Sequence, residues 1–324
     1  MAWIGKIHSV SPIPEADKIQ RAEVVCGEGG KWAGVVGKDM HVGQCVVVFL
    51  PDAVLQPHPA VDFMEKHGYR VKMMRLKGCP SEVVIVPIEA FAVSEMVGTD
   101  VTDQLGVLKY EKEVGGEHGV AKGNFPSFIP KTDEINFQKA YRIREAMIGK
   151  PYYIATKYDG TSQTFYHRDG KFGACSRNLE LREGDGTAWE IAERHGLFNT
   201  LPTFGNVALQ WECVGPKIQG NPLKLSRCEP RLFDVWDIDK QEYYCLEDLK
   251  RVAFALGIEP VDGVECCWHG RDTHWENDEL RDMARGCYME SLKPREGIVI
   301  RTTYPFRLNG DRLSFKVINL DYKE

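Results

Sequence analysis

Apolar positions along the chain fall into two regions of different texture. Up to about residue 105 they come in short runs rich in β-branched and aromatic residues, separated by turns that carry Gly or Pro. The runs are Val24-Val25-Cys26, Trp32-Ala33-Gly34-Val35-Val36, Gln44-Cys45-Val46-Val47-Val48-Phe49 and Val83-Val84-Ile85-Val86. Their spacing predicts short strands closing into a small β-barrel over residues 1–110. From Tyr110 to Asn124 apolar residues thin out while glycines and acids accumulate, so 111–124 is expected to be a linker.

Over 125–324 the pattern mixes two periods. Tyr152–Lys157, Thr164–His167 and Lys171–Ser176 read as strands, the last two joined through Arg168-Asp169-Gly170 as a hairpin, and so short a connection makes the pair antiparallel. Thr187 with Glu190 three residues on predicts a capping box opening a helix over Ala188–His195 that stops at Gly196. Leu246, Leu249, Val252, Ala253 and Leu256 share one helical face and are followed by Gly257, which predicts a second helix. Further strands are expected at Val207–Val214, Leu232–Ile238, Gly297–Arg301 and Leu313–Ile318. The second domain is therefore α+β, built on antiparallel sheet.

Composition narrows the class. A length of 324 residues fits two domains, each able to bury its own core. Hydrophobic residues at 43% and charged ones at 27% exclude disordered, collagenous and coiled-coil chains. No apolar run is long enough for a membrane helix, and Met1–Lys6 lacks the start of a signal peptide, so a cytoplasmic location is expected. The net charge of −6 excludes a broadly basic surface but leaves room for a local basic groove. Ten cysteines include no CxxC pair, only the vicinal Cys266-Cys267, so buried reduced thiols are expected in place of zinc sites or disulfides.

Candidate chemistry begins at Lys157-Tyr158-Asp159-Gly160, which holds an amine and a carboxylate together where a strand turns. Alone, KxDG is weak: about one chain in ten of this length contains it by chance, and an exposed strand end with an Asp-Gly turn accounts for it equally well. Five further segments follow in order. They are Ser176-Arg177-Asn178, the strand bearing Glu212, Phe233-Asp234-Val235-Trp236-Asp237, Glu296-Gly297-Ile298-Val299-Ile300-Arg301 and Ser314-Phe315-Lys316-Val317.

In that order the six blocks resemble the motifs of the covalent nucleotidyltransferases, the superfamily of DNA ligases, RNA ligases and mRNA capping enzymes. The resemblance implies that Lys157 attacks the α-phosphorus of ATP and that Lys316 neutralises charge on the phosphate oxygens. A free lysine is protonated at neutral pH, so nearby positive charge, from Lys316 and a divalent metal, is expected to lower the pKa of Lys157. Mg²⁺ or Mn²⁺ would be held by one or two carboxylates together with phosphates and water, with Asp159, Glu212 and Glu296 as candidates. Glu212 lies in an otherwise apolar strand and so needs a partner there; by resemblance it reaches the ribose or the metal's waters. Phe233 is expected either to stack on adenine or to fill the core, and Arg177 to donate to phosphate or ribose oxygens.

Thr161-Ser162 follows Gly160 where DNA ligases and capping enzymes usually continue KxDGxR, which favours RNA ligases. With eight residues after Lys316, no C-terminal OB domain is expected. The N-terminal segments Pro12–Ile19 and Val42–Val47, with Phe128–Glu134 and Gly215–Asn221, resemble RNA ligase family 5, whose OB module precedes the transferase domain. That family implies joining of an RNA 3′-OH to a 5′-phosphate, preferentially at a nick in a duplex. One departure is Ile318, where some RNA ligases carry a second lysine in the last motif. The stretch from Lys66 to Lys77 holds Lys66, Arg70, Lys72, Arg75 and Lys77 among Tyr69, Met73 and Met74; it is expected to grip phosphates as a strand face, or else to be a solubilising surface. The expected assembly is a monomer. The competing readings are an ATP-dependent DNA ligase, a GTP-using capping enzyme, and a non-catalytic OB protein that binds nucleic acid.

Overall fold

The structure, a computed structural model, describes residues 1–27, 30–93, 96–110, 121–184, 186–261, 263–264 and 275–322. The chain divides into two compact units: Met1–Glu113 with Gln138–Tyr141, and Val114–Phe137 with Arg142–Glu324. No helix among the described residues is long and apolar enough to cross a membrane.

The first unit is an antiparallel sheet in the order Gly30–Gly37, Ile19–Cys26, Ala2–Pro12, Cys45–Phe49, Val84–Pro87. Val47, Phe49, Val84 and Val86 enter one core while Val46, Val48, Val83 and Ile85 enter another, because side chains alternate between the faces of a strand. A run with no polar alternation is what a strand buried on both faces requires. Just before the last strand the chain returns to the first edge: Glu82 N–H donates to Ala33 O and Ala33 N–H to Glu82 Oε2, both at 2.8 Å. The expected barrel closes there. Its central strand, Ala2–Pro12, was not among the predicted ones, because Lys6, His8, Ser9 and Ser11 dilute its apolar content and the register shifts between Ile7 and Ser9.

The basic stretch from Lys66 to Lys77 does not form the expected continuous strand. It starts at the end of a 3-10 helix, Pro59–His67, turns through left-handed Tyr69, and ends in a short hairpin of Met74–Leu76 with Cys79–Ser81.

The second unit holds two sheets. The larger runs Ala121–Asn124, Leu179–Leu181, Lys171–Cys175, Thr161–Arg168, Val207–Val214, Glu229–Asp237, Glu242–Tyr243, with Glu259–Pro260 alongside Glu229–Asp237. The smaller runs Gly263–Val264, Tyr152–Lys157, Gly297–Thr302, Ser314–Ile318. Helices Thr187–Arg194 and Leu246–Leu256 cover one face of the larger sheet, where Ala188, Ile191, Leu249 and Val252 meet Phe165, Leu209, Trp211 and Leu232. The hairpin forms with Asp169 and Gly170 both left-handed, as a two-residue turn demands.

Two local expectations change. Gly186 precedes the helix Thr187–Arg194 without a side-chain cap, so Thr187 sits inside the helix and its capping box is not made. Of the expected linker, residues 111–120 lie outside the described residues, and Ala121–Asn124 pairs as an edge strand with Leu179–Leu181. Eight cysteines among the described residues are free thiols; Cys266 and Cys267 lie outside them.

Candidate active site

Lys157 ends its strand opposite Gly297, the first residue of the neighbouring strand. That register brings Lys157 beside Glu296, and Nζ lies 2.7 Å from Oε2. On the far side of the same strand Lys316 pairs with Val299. Since alternate residues share a face, Lys157, Gly297, Val299 and Lys316 all look to one side of this small sheet. Two β-pairings thus assemble residues that lie far apart in sequence. Gly297 is required by contact: a Cβ there would lie 2.1 Å from Val317 O.

Beyond Lys157 the chain leaves the small sheet and enters the large one at Thr161, so Tyr158-Asp159-Gly160 is the crossing between them. Tyr158 and Asp159 are buried. Gly160 runs so close to the strand of Glu212 that a Cβ would fall 2.4 Å from Cys213 O and 2.7 Å from Glu212 Cγ. The glycine of KxDG therefore does more than turn the chain: it lets the strand of the half-buried Glu212 approach.

The chain's own charges act on Lys157 in the opposite sense to the one expected of Lys316 with a metal. Burial disfavours the Lys157 ammonium, but Glu296, Glu212 and Asp159 outweigh it and raise its pKa above the ordinary lysine value. The lysine whose pKa falls is Lys316, first through burial and then through the charge of Lys157. The sequence shows both amines and all three acids but not how many acids meet each amine. Burial, with Glu296 and Asp159 nearby, raises the Glu212 carboxyl to about 8 against the opposing pull of Lys157.

The other expected residues are placed as follows. Asp159 Oδ2 accepts a hydrogen bond from the hydroxyl of Tyr322. Among the described residues no three His, Cys, Asp or Glu side chains form a ready metal cage, so Asp159, Glu212 and Glu296 do not make a closed triad. Arg177 is exposed and pairs with Asp133. Phe233 is half-buried, and the guanidinium of Arg301 lies 5.6 Å from its ring centre. In the first unit Arg70 pairs with Asp52 at 2.7 Å and lies 3.5 Å from the centre of the Tyr110 ring. Arg75 donates to Gly78 O at 3.0 Å, while Lys72 and Lys77 are exposed.

Two features went unread in the sequence. Arg301, in the small sheet, donates to Glu134 at 2.6 Å and to Phe233 O at 2.8 Å, and lies 3.4 Å from Asp234 of the large sheet. Arg312 also pairs with Asp234. Two guanidiniums and two carboxylates thus join the sheets in a buried, charge-balanced network. Arg301 and Asp234 each belong to one of the six motif blocks, so a signal was present, but nothing in their spacing showed that they meet. The other feature is Tyr288, whose buried hydroxyl sits between the Lys157 turn and Glu296; no periodicity marks it.

This geometry agrees with the comparisons. A family model described as RNA ligase matches residues 150–318, more than half of the chain. The chain belongs to the RNA ligase family. An OB-fold domain model matches residues 1–88. Among solved structures, the Naegleria gruberi RNA ligase with PPi is 29% identical, with a TM-score of 0.81 over 99% of this chain and 97% of that one. A point mutant of that ligase with AMP and Mn is 30% identical, with a TM-score of 0.80 over 99% of this chain and 97% of that one. A further mutant of it, with ATP and Mn, is 29% identical with a TM-score of 0.81 over the same shares of both chains. No curated protein matches the chain.

Proposed function

We propose that the protein is an ATP-dependent RNA ligase that joins an RNA 3′-OH to a 5′-phosphate, at nicks in duplexes, through a lysyl-AMP intermediate. The observation that carries this reading is the Lys157 amine 2.7 Å from Glu296 at the meeting of two sheets, with Lys316 on the same face. In the first step Nζ of Lys157 bonds to the α-phosphorus of ATP and pyrophosphate leaves. In the second an oxygen of the 5′-phosphate takes AMP from the lysine. In the third the 3′-OH attacks that phosphate and AMP departs.

Each residue has a task in the first step. Lys157 must lose a proton to react, and the carboxylate of Glu296 lies 2.7 Å from its Nζ. Lys316, held less basic by burial and by Lys157, offers a positive charge to the phosphate oxygens. Glu212 and Glu296 would supply oxygen ligands to Mg²⁺ or Mn²⁺, and one or two carboxylates suffice for such an ion. Burial first, then Glu296 and Asp159, raises Glu212 to about 8, and a cation beside these carboxylates would favour its charged form, so the donor set fits. When bound, the ion supplies positive charge at the phosphates. Asp159 holds the crossing through Tyr322, and Phe233 and Arg177 are assigned to the adenine face and to ribose or phosphate. Lys72 and Lys77, with Arg70 and Arg75 beside them, are assigned to the phosphates of the polynucleotide.

Incubation with α-labelled ATP should leave label on the wild type and none on Lys157→Ala. Wild-type protein that takes no label, or takes it from GTP instead, overturns the reading. Sealing of matched nicks with RNA or DNA at the 3′-OH tests the polynucleotide: equal rates for both would refute the RNA assignment.

A further inference from the structure

Tyr288 lies in neither a strand nor a helix, yet it is 2% exposed and its ring stacks on Tyr158 at 5.5 Å with the planes 13° apart. Its loop is closed on itself. Tyr288 N–H donates to Lys293 O, Leu292 N–H to Tyr288 O, and Arg295 N–H to Gly286 O, all within 3.0 Å. The Arg295 side chain also binds the carbonyls of Met283, Ala284 and Arg285 at the end of helix Asn277–Ala284. The phenol oxygen is therefore held on a fixed support.

That oxygen sits where the β-ladder gives out. The Lys157 strand and its neighbour pair from Tyr152 with Thr302 to Lys157 with Gly297, and no further. Beyond this point Asp159 turns toward the large sheet and Glu296 turns back into its loop, so neither N–H has a ladder carbonyl. Both donate instead to the hydroxyl of Tyr288, each at 3.1 Å, and the hydroxyl lies 3.5 Å from Lys157 O. A phenol offers two lone pairs and one proton. Here all three face the backbone of the two segments that carry the reacting amine and its paired carboxylate.

We propose that Tyr288 is a positioning residue for lysine adenylylation: its hydroxyl extends the ladder by one atom, pins the Lys157–Asp159 turn to Glu296, and so sets the 2.7 Å approach of Nζ to Oε2. The inference rests on the function proposed above only in naming the step that this geometry serves. Tyr288 touches neither ATP nor RNA in this scheme. It acts by holding two backbones whose side chains must keep one geometry, and displacement by about an ångström is enough to cost two orders of magnitude in rate.

The test is Tyr288→Phe, which keeps the stacked ring and removes the oxygen. Single-turnover adenylylation should slow by roughly 10- to 100-fold while the KM for ATP changes by less than about twofold. A second readout needs no turnover: trace acetylation of Lys157 at one fixed pH, relative to the exposed Lys31 and Lys171, should rise severalfold as its pairing with Glu296 loosens. The proposal is overturned if rate and relative acetylation both match the wild type. It is also overturned if Leu201→Ala, a core deletion in a separate cluster, loses as much adenylylation at an equal fall in melting temperature. Should the Phe variant not fold, fluorotyrosine at position 288 keeps the hydroxyl with weaker lone pairs and must give the same two changes, smaller in size. A wild type that takes no AMP while Tyr288→Phe still raises acetylation of Lys157 refutes the ligase reading and supports the positioning role.

Discussion

Asp234→Asn tests the charge network that joins the two sheets. Asp234 is 5% exposed and meets Arg301, also 5% exposed, at 3.4 Å; its other oxygen pairs with Arg312, which is 12% exposed. Glu134, 17% exposed, supplies the second negative charge. Charges therefore balance two against two with little water to screen them. The amide is nearly isosteric, so packing changes little, but two buried guanidiniums are left facing one carboxylate. Removing one partner from a buried pair costs about 3–5 kcal/mol, because the stranded charge remains desolvated. For a unit of roughly 200 residues, each kcal/mol lowers the melting temperature by about 2–4 °C, so a fall of about 6–20 °C is expected by calorimetry. Adding Arg312→Met removes the unpaired cation and should restore at least about half of that loss. A single variant melting within about 2 °C of the wild type, or a double variant less stable than the single one, would refute the charge-balance argument.

Glu134→Gln tests the same network by pH. Burial raises the Glu134 carboxyl, but Arg301 outweighs it with help from Ser314 and Arg312, so its pKa in the fold lies below the ordinary value. Its stabilisation is complete above about pH 4.5 and is lost as the pH falls through that lower value, so the gap in melting temperature between wild type and variant should be widest near pH 7 and narrow in acid; a constant gap would contradict the linkage. Gly160→Ala forces a Cβ to within 2.4 Å of Cys213 O, a backbone atom inside a paired strand. It should cost about 1–3 kcal/mol by denaturant unfolding and abolish labelling by ATP, and a fully active variant would show that the close approach is not needed. Lys72→Ala with Lys77→Ala should weaken RNA binding and lower the slope of log affinity against log salt by about 0.9 for each phosphate that the variant no longer neutralises. An unchanged slope in an anisotropy titration would leave the two lysines as a solubilising surface.

How far the sequence could be read depended on the range of the interaction. Val46–Phe49 and Leu246–Leu256 were legible because burial on two faces, or on one helical face, writes itself into consecutive residues. The Ala2–Pro12 strand was not, although it is central, because its polar residues and the shift after Ile7 break the alternation. Thr187 had the right residues for a capping box, yet Gly186 took the cap position. Within the site, the motif residues Lys157, Glu212, Glu296 and Lys316 could be named from order and type. The sign of the shift at Lys157 could not, since it depends on three acids converging from separate segments. Tyr288 and Tyr322 were invisible for a related reason: each acts through a single oxygen aimed at a backbone or carboxylate far away in sequence.

The strand pairing around Gly297–Thr302 bears on how the protein comes to life. Lys157 on one flank and Lys316 on the other are separated by nearly half of the polypeptide, and only the late-emerging Ser314–Ile318 completes the three-strand arrangement. During synthesis Lys157 therefore emerges well before Lys316. A chain cut short before Ser314–Ile318 would hold Lys157 and its neighbouring acids without Lys316, so the two amines share a face only once that strand docks.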